Sequence, residues 1–132
     1  MWKNWSDSMK YVYNKLVRDK IPEEINKMKG RKANYKILND DEYLQELNKK
    51  LFEEAHEFIE EYSVEELADL MEVLSAIMKL RDISLEDVEK ARETKNNKKG
   101  KFEDKVYLMN VEQEHADERE ENELKKEWRK NK

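Results

Sequence analysis

Two pairs of acidic residues have a spacing that suits metal binding. Glu54 is followed by Glu57 and Glu66 by Asp69, so each pair has the three-residue spacing that places both side chains on one face of a helix. Like charges this close repel each other, and burial raises the cost unless a cation, a basic partner or protonation compensates. Carboxylate oxygens converging from two helices suit a hard cation such as Mg²⁺. The two pairs therefore predict a carboxylate site for Mg²⁺, with Mn²⁺ as the alternative ion.

The elements that must carry these pairs are long amphipathic helices. Apolar residues recur at three- and four-residue steps along two neighbouring stretches, which is the helical signature. Asn39 and Ser63 precede these stretches, and each has a Glu three residues later, as in a capping box. We therefore predict helices at about 40–62 and 64–81, joined by a short turn as an antiparallel hairpin.

Within this hairpin the acids are expected to face the shared seam. Glu54 lies directly along its helix from the apolar Leu47, and Glu66 falls inside the apolar arc of the second helix. Asp69 lies at the edge of that arc. Each acid taken alone is better explained as a solvated or salt-bridged residue at the edge of an apolar stripe. Two pairs on adjacent helices that face one seam are harder to obtain by chance, and for them a site and the ordinary explanation are about equally supported.

The remaining chain predicts shorter elements. Pro22 suits the first turn of a helix and Gly30 its end, so we predict a helix at about 22–29. A further helix is predicted at about 85–95, followed by a basic loop over 94–101. The scarcity of Gly (2) and Pro (1) also favours long helices over a sheet. The predicted fold is all-α, with four to five helices assembling into a helical-bundle oligomer.

The composition limits the class of protein. A chain of 132 residues is long enough for one domain, and its 37% hydrophobic content gives only a thin core unless copies associate as a homodimer or homotetramer. The absence of cysteine excludes disulfides and thiolate metal sites. No apolar run reaches the roughly 20 residues that span a bilayer, and residues 1–10 have no signal-peptide pattern. We expect a cytoplasmic protein, and its net charge of −5 argues against specific nucleic-acid binding.

Basic residues supply the second half of a possible site for a polyanion. They cluster before Pro22 and around Gly100, and cationic side chains match phosphate oxygens. Each of them taken alone is better explained as an ordinary surface charge. The candidate phosphate-binding residues are Lys15, Arg18, Lys20, Arg92, Lys95 and Lys98.

Three stretches together resemble a known family. Residues 53–57 read Glu-Glu-Ala-His-Glu and residues 66–69 read Glu-Leu-Ala-Asp, which resembles the E-E-x-x-E … E-x-x-D signature of MazG-like nucleotide pyrophosphohydrolases. That group belongs to the all-α NTP pyrophosphatase superfamily, which includes phosphoribosyl-ATP pyrophosphohydrolase. Residues 13–22 and 83–88 resemble one branch of the group, as does the basic region ending at Phe102. The resemblance covers about residues 11–109.

The resemblance implies an activity and a set of roles. It implies Mg²⁺-dependent hydrolysis of a nucleoside triphosphate between the α- and β-phosphates, giving the monophosphate and pyrophosphate. It implies that the basic candidates touch phosphates. It also implies that Glu54, Glu57, Glu66 and Asp69 hold the metal, while Glu53, with Glu54 and Glu57, serves catalysis. One departure is Lys101, which stands where the branch usually has a second glycine and would alter a backbone anion cradle.

Alternative functions are compatible with the same sequence. A non-catalytic helical module that binds a nucleotide or a protein is the second hypothesis, and phosphoribosyl-ATP is an alternative substrate. We assign residues 1–10 to an N-terminal extension and 11–109 to the pyrophosphohydrolase-like domain. Residues 110–132 are nearly all charged, and we expect either a solvated helix or a disordered tail.

Overall fold

The computed structural model describes residues 9–114 and 117–130, so Trp2 and Trp5 of the predicted N-terminal extension lie outside the described residues. Within the described ranges the chain is helical and contains no strand, which confirms the all-α prediction there. The helices are α1 (Ile21–Asn26), α2 (Asp40–Glu61), α3 (Val64–Leu80), α4 (Leu85–Lys99) and α5 (Glu118–Lys130).

The chain divides after Ser84 into two compact units. In the first unit, α1 has Pro22 in its first turn, as predicted, but ends at Asn26 and not at about 29. The side-chain oxygen of Asn26 accepts a hydrogen bond from the backbone N–H of Ala33 at 2.8 Å. This bond links the following connector to the last residue of α1.

The long helices α2 and α3 begin at the predicted capping residues. The Asn39 side chain accepts a hydrogen bond from the backbone N–H of Glu42 at 2.9 Å, and Ser63 accepts one from Glu66 at 3.1 Å. These bonds satisfy backbone donors that have no partner inside the helix. The two helices pack against each other. The capping signals therefore predicted both helix starts correctly.

Only two residues, Tyr62 and Ser63, separate α2 from α3. Tyr62 adopts the left-handed conformation with φ of 52°, which is uncommon for a residue other than glycine. Its ring lies edge-on to that of Phe58, with centroids 5.4 Å apart. The aromatic contact therefore involves the residue in this uncommon conformation, between α2 and α3.

The interior of the first unit is very small. Among the described residues Leu47, at 2% exposed, is the buried hydrophobic residue, and Glu54 is the buried charged one. Large apolar residues on α2 and α3 remain exposed, with Phe52 at 79% and Met71 at 61%. The thin core expected from composition is therefore present, and the chain by itself does not cover much of its apolar surface.

The second unit contains α4 and α5, and α4 corrects one prediction. The basic loop expected over 94–101 is helical as far as Lys99. No glycine or proline interrupts the stretch before Gly100, whose φ is +84°, and Lys98 and Lys99 stabilise the negative end of the helix dipole. Periodicity predicted too short a helix because residues 94–99 carry no apolar stripe.

Part of the charged C-terminal segment is helical. Of the two alternatives, a solvated helix or disorder, the structure has a helix over Glu118–Lys130, with three acids in its first turn and two bases in its last, whereas the described residues 110–114 and 117 are not helical. Such an order complements the helix dipole. None of the described helices is both long and apolar enough to cross a membrane.

Candidate metal centre

Three acidic side chains from α2 and α3 converge in the first unit. Carboxylate oxygens of Glu54, Glu66 and Asp69 all lie within 4.8 Å of one another. Glu54 comes from the second half of α2, while Glu66 and Asp69 come from the first half of α3. The contact between the two helices therefore brings together three of the four predicted metal ligands, and this group can hold a metal ion.

Two oxygens of this cluster lack the partners that buried polar atoms normally have. Glu54 is 8% exposed, and its Oε2 is buried without a hydrogen-bond partner. The Oε2 atom of Glu66 is in the same situation. A buried polar atom without a partner is costly, and native structures contain few of them. A cation bound between these oxygens would remove that cost.

The electrostatics of Glu54 show that the cluster lacks positive charge. Burial raises the pKa of Glu54 above its ordinary value, and the negative charge of Glu57 raises it further. Lys50 opposes these effects, while Asp69 and Glu53 add to them. The local basic residues thus do not fully compensate the acid that is buried most deeply.

Glu57, the fourth predicted ligand, lies beside the three converging acids. Burial raises the pKa of Glu66, followed by a hydrogen bond with Glu57 and by the charge of Glu57. The charges of Glu61 and Asp69 act in the same direction. Glu57 is therefore close to Glu66, but its role as a ligand stays a prediction.

Cationic side chains reach the cluster from two directions. Arg18 donates a hydrogen bond to Asp69 Oδ1 at 2.7 Å. The ammonium group of Lys50 lies 3.7 Å from Glu54 and 3.6 Å from Glu53, and Lys15 lies 3.8 Å from Glu53. Two of the predicted phosphate-binding residues, Lys15 and Arg18, thus contact the predicted acidic residues.

Lys50 was not among the cations predicted from the sequence. Its side chain is 18% exposed, and it lies three and four residues before Glu53 and Glu54 in α2. That spacing is the usual one for an ion pair along a helix, so the sequence did carry a signal for it. The predicted phosphate-binding residues all lie outside α2 and α3. Lys50 lies within α2, so it was not among them.

The other predicted phosphate-binding residues lie elsewhere. Lys20 is the N-cap of α1 and is exposed. Arg92, Lys95 and Lys98 lie on α4 in the second unit, where Arg92 pairs with Glu89 at 2.7 Å. Their contact with phosphate stays a prediction.

Comparison of the chain with protein-family models, with curated proteins and with solved structures found no match. The resemblance to MazG-like pyrophosphohydrolases therefore depends on the sequence motifs alone. What the geometry adds is independent of family: three acids on two packed helices share a space small enough for one cation.

Proposed function

We propose that this chain is an Mg²⁺-dependent nucleotide pyrophosphohydrolase that acts in the cytoplasm on the nucleotide pool. The observation that carries the proposal is the convergence of Glu54, Glu66 and Asp69, with two buried carboxylate oxygens that have no partner. The motif resemblance supplies the reaction class, and the acid cluster supplies a place for the metal.

The donor set favours Mg²⁺ over softer metals. All the candidate ligand atoms are carboxylate oxygens, the type of ligand that Mg²⁺ prefers. Mg²⁺ usually takes few protein ligands and completes its octahedron with waters and substrate phosphates. Three acids, with Glu57 nearby, are consistent with this coordination preference, and Mn²⁺ would fit the same site.

The surrounding residues suit the cleavage of a phosphate anhydride. A metal held by Glu54, Glu66 and Asp69 would lower the pKa of a water molecule and neutralise charge on the phosphates. Water adds to the α-phosphorus, the bridging bond to the β-phosphate breaks, and pyrophosphate leaves. Glu53, at the edge of the cluster, would take the proton of the water. Lys15 and Arg18 would hold phosphate oxygens.

The direct test is a turnover assay. Purified full-length chain is incubated with Mg²⁺ and a panel of canonical, deoxy and damaged nucleoside triphosphates, together with phosphoribosyl-ATP. We expect release of pyrophosphate from at least one of them and none when the metal is chelated. Failure to release pyrophosphate from every member of the panel at high protein concentration would contradict the proposed activity.

A second candidate is a non-catalytic module that binds a nucleotide or a protein without catalysing a reaction. The apolar surface that the chain leaves exposed, including Phe52 and Met71, is typical of a protein that associates with others. Calorimetry separates the two candidates, because nucleotide binding in Mg²⁺ without release of pyrophosphate would favour the module.

We also infer that copies of this chain associate, as a homodimer or homotetramer. Phe52 and Ile59 are seven residues apart on one side of α2, and Leu67 and Met71 are four apart on α3. All four are exposed by 40% or more. Burying such residues against a second copy would supply the apolar core that one chain lacks. Light scattering tests this: Met71→Glu should lower the measured mass, whereas Glu86→Gln on α4 should not.

A further inference from the structure

Arg18 holds a position next to the acid cluster that differs from that of the other basic residues. It lies just before α1, and its guanidinium donates to a single oxygen of Asp69 at 2.7 Å. The pKa of Arg18 is raised, first by this hydrogen bond and then by the charges of Asp69, Glu72 and Glu54, against the opposing effect of desolvation. Arg18 thus supplies positive charge to the cluster from outside the α2 and α3 helices.

The Arg18 contact is of a kind that another cation can displace. The side chains of Arg18 and Asp69 are 59% and 40% exposed, and exposed ion pairs are weak because water competes for both partners. Lys50 differs, since its side chain is 18% exposed and it pairs within its own helix with Glu53 and Glu54. A divalent cation that binds Asp69 directly brings twice the charge of Arg18.

We propose that Arg18 is the counter-ion of the cluster in the metal-free protein, and that a divalent cation held by Glu54, Glu66 and Asp69 displaces its guanidinium from Asp69 and frees it to bind a phosphate group. This inference rests on the proposed metal site. Its consequence is a preferred order of events: Arg18 is more available to bind phosphate once the metal has displaced it from Asp69. The site then binds phosphate groups more tightly when the metal is already bound.

The first test is a titration of the full chain with Mn²⁺ at low ionic strength, in which electron paramagnetic resonance measures the bound and free Mn²⁺. Arg18→Ala should bind Mn²⁺ roughly 2- to 5-fold more tightly than wild type, because the competitor for Asp69 is gone. Arg18→Lys, which keeps the charge, should lie between the two. Arg119→Ala is the matched control, since Arg119 forms an exposed ion pair with Glu123 on α5, and it should bind as wild type does. Equal or weaker Mn²⁺ binding by Arg18→Ala would overturn the proposal.

The second test uses inorganic phosphate as the probe, and ³¹P NMR measures its binding. With saturating Mg²⁺, Arg18→Ala should bind phosphate about 10-fold more weakly than wild type, since a charge-assisted hydrogen bond is lost. Without metal, the loss caused by Arg18→Ala should shrink to roughly 2- to 5-fold, because Asp69 competes with phosphate for the guanidinium. An equal effect of Arg18→Ala with and without metal would show that Arg18 is always free, and would overturn the exchange.

These outcomes are distinguishable from failure of the metal site itself. If wild type and Asp69→Asn bind no Mn²⁺, the proposed function and the exchange both fail. If wild type binds Mn²⁺, Asp69→Asn does not, and Arg18→Ala is unchanged, then only the exchange fails. Circular dichroism of each variant confirms that its helices are intact before the affinities are compared.

Discussion

Two acids of the α2–α3 cluster, Glu54 and Glu66, have surroundings different from those of the acids on α4 and α5. On α4 and α5, exposed acids pair with bases three or four residues away on the same helix, as in Glu86–Lys90 at 3.2 Å and Arg119–Glu123 at 3.6 Å. On α2 and α3, Glu54 and Glu66 have buried oxygens without hydrogen-bond partners. The acids of α4 and α5 are stabilised by water and by a nearby base, whereas Glu54 and Glu66 bring negative charges close together.

This difference teaches that acid content is a poor guide to a site in a chain with 45% charged residues. The useful signal is an acid that falls on an apolar stripe, such as Glu66, and faces a second one across a helix contact. Exposed pairs contribute little to stability. A change in the α2–α3 cluster should therefore have a larger effect than a matched change on α4 or α5.

The largest expected effect is on turnover. Asp69→Asn and Glu54→Gln each keep the size of the side chain but remove a charge that the metal needs, so pyrophosphate release should fall roughly 10²- to 10³-fold. Far-UV circular dichroism should show unchanged helix content. Glu86→Gln, which removes an exposed acid from α4, is the control and should leave turnover within about 2-fold. If Glu86→Gln and Asp69→Asn lost comparable amounts of pyrophosphate release, the two regions would not differ in function.

The second prediction concerns stabilisation by the metal. A ligand that binds only the folded state stabilises it by about 2.7 kcal/mol when present at 100 times its Kd. Wild type should therefore show a rise in Tm with added Mg²⁺, measured by differential scanning calorimetry. Glu66→Gln should lose most of that rise, and Glu123→Gln on α5 should keep it. If Glu66→Gln kept the full rise in Tm with Mg²⁺, Glu66 would not be a metal ligand.

The third prediction concerns pH. Because the pKa values of Glu54 and Glu66 are raised in the folded protein, the native state keeps these protons at a pH where the unfolded chain has lost them. The metal-free protein should therefore lose stability as pH rises from the ordinary glutamate pKa, about 4.3, through the raised values, and level off above them.

Urea unfolding at a series of pH values measures this dependence. Glu54→Gln should flatten the curve and raise the stability above that window, while Glu86→Gln should reproduce the wild-type curve. Metal affinity should show the opposite trend and weaken as pH falls through the same raised values, because the ligands must be deprotonated. A wild-type stability that rises across the window relative to Glu54→Gln would contradict the predicted direction.

The smallest expected effect comes from Lys50. Lys50→Gln removes the base that partly compensates Glu53 and Glu54, so metal-free stability should fall by about 1 kcal/mol. Lys90→Gln removes an exposed partner of Glu86 on α4 and should cost about 0.3 kcal/mol. Thermal or urea unfolding of the two variants gives the comparison. Equal costs would mean that Lys50 is no more important than a surface lysine.

The sequence predicted the helical framework well because the determining signals were local. Capping by Asn39 and Ser63 placed the starts of α2 and α3, and periodicity placed their apolar faces. The convergence of Glu54, Glu66 and Asp69 followed from the packing of these two helices. Where a helix carries no apolar stripe, as at the end of α4, periodicity has nothing to detect.

The contacts that the sequence did not predict are long-range. Arg18 reaches Asp69 across 51 residues of sequence. No periodic pattern in the stretch before α1 specifies where that stretch lies against α3, so this ion pair needed the structure. The burial of Glu54 was only partly predictable for the same reason, since it depends on which groups of α3 cover it.

The most direct test of the central claim is a crystal structure of the full chain grown with Mn²⁺, with anomalous scattering collected at the manganese absorption edge. We predict an anomalous peak within direct bonding distance of carboxylate oxygens from Glu54, Glu66 and Asp69, with Arg18 moved away from Asp69. A fully loaded crystal with no peak between these three side chains, or with manganese bound only at the exposed acids of α4 and α5, would contradict the proposed metal site.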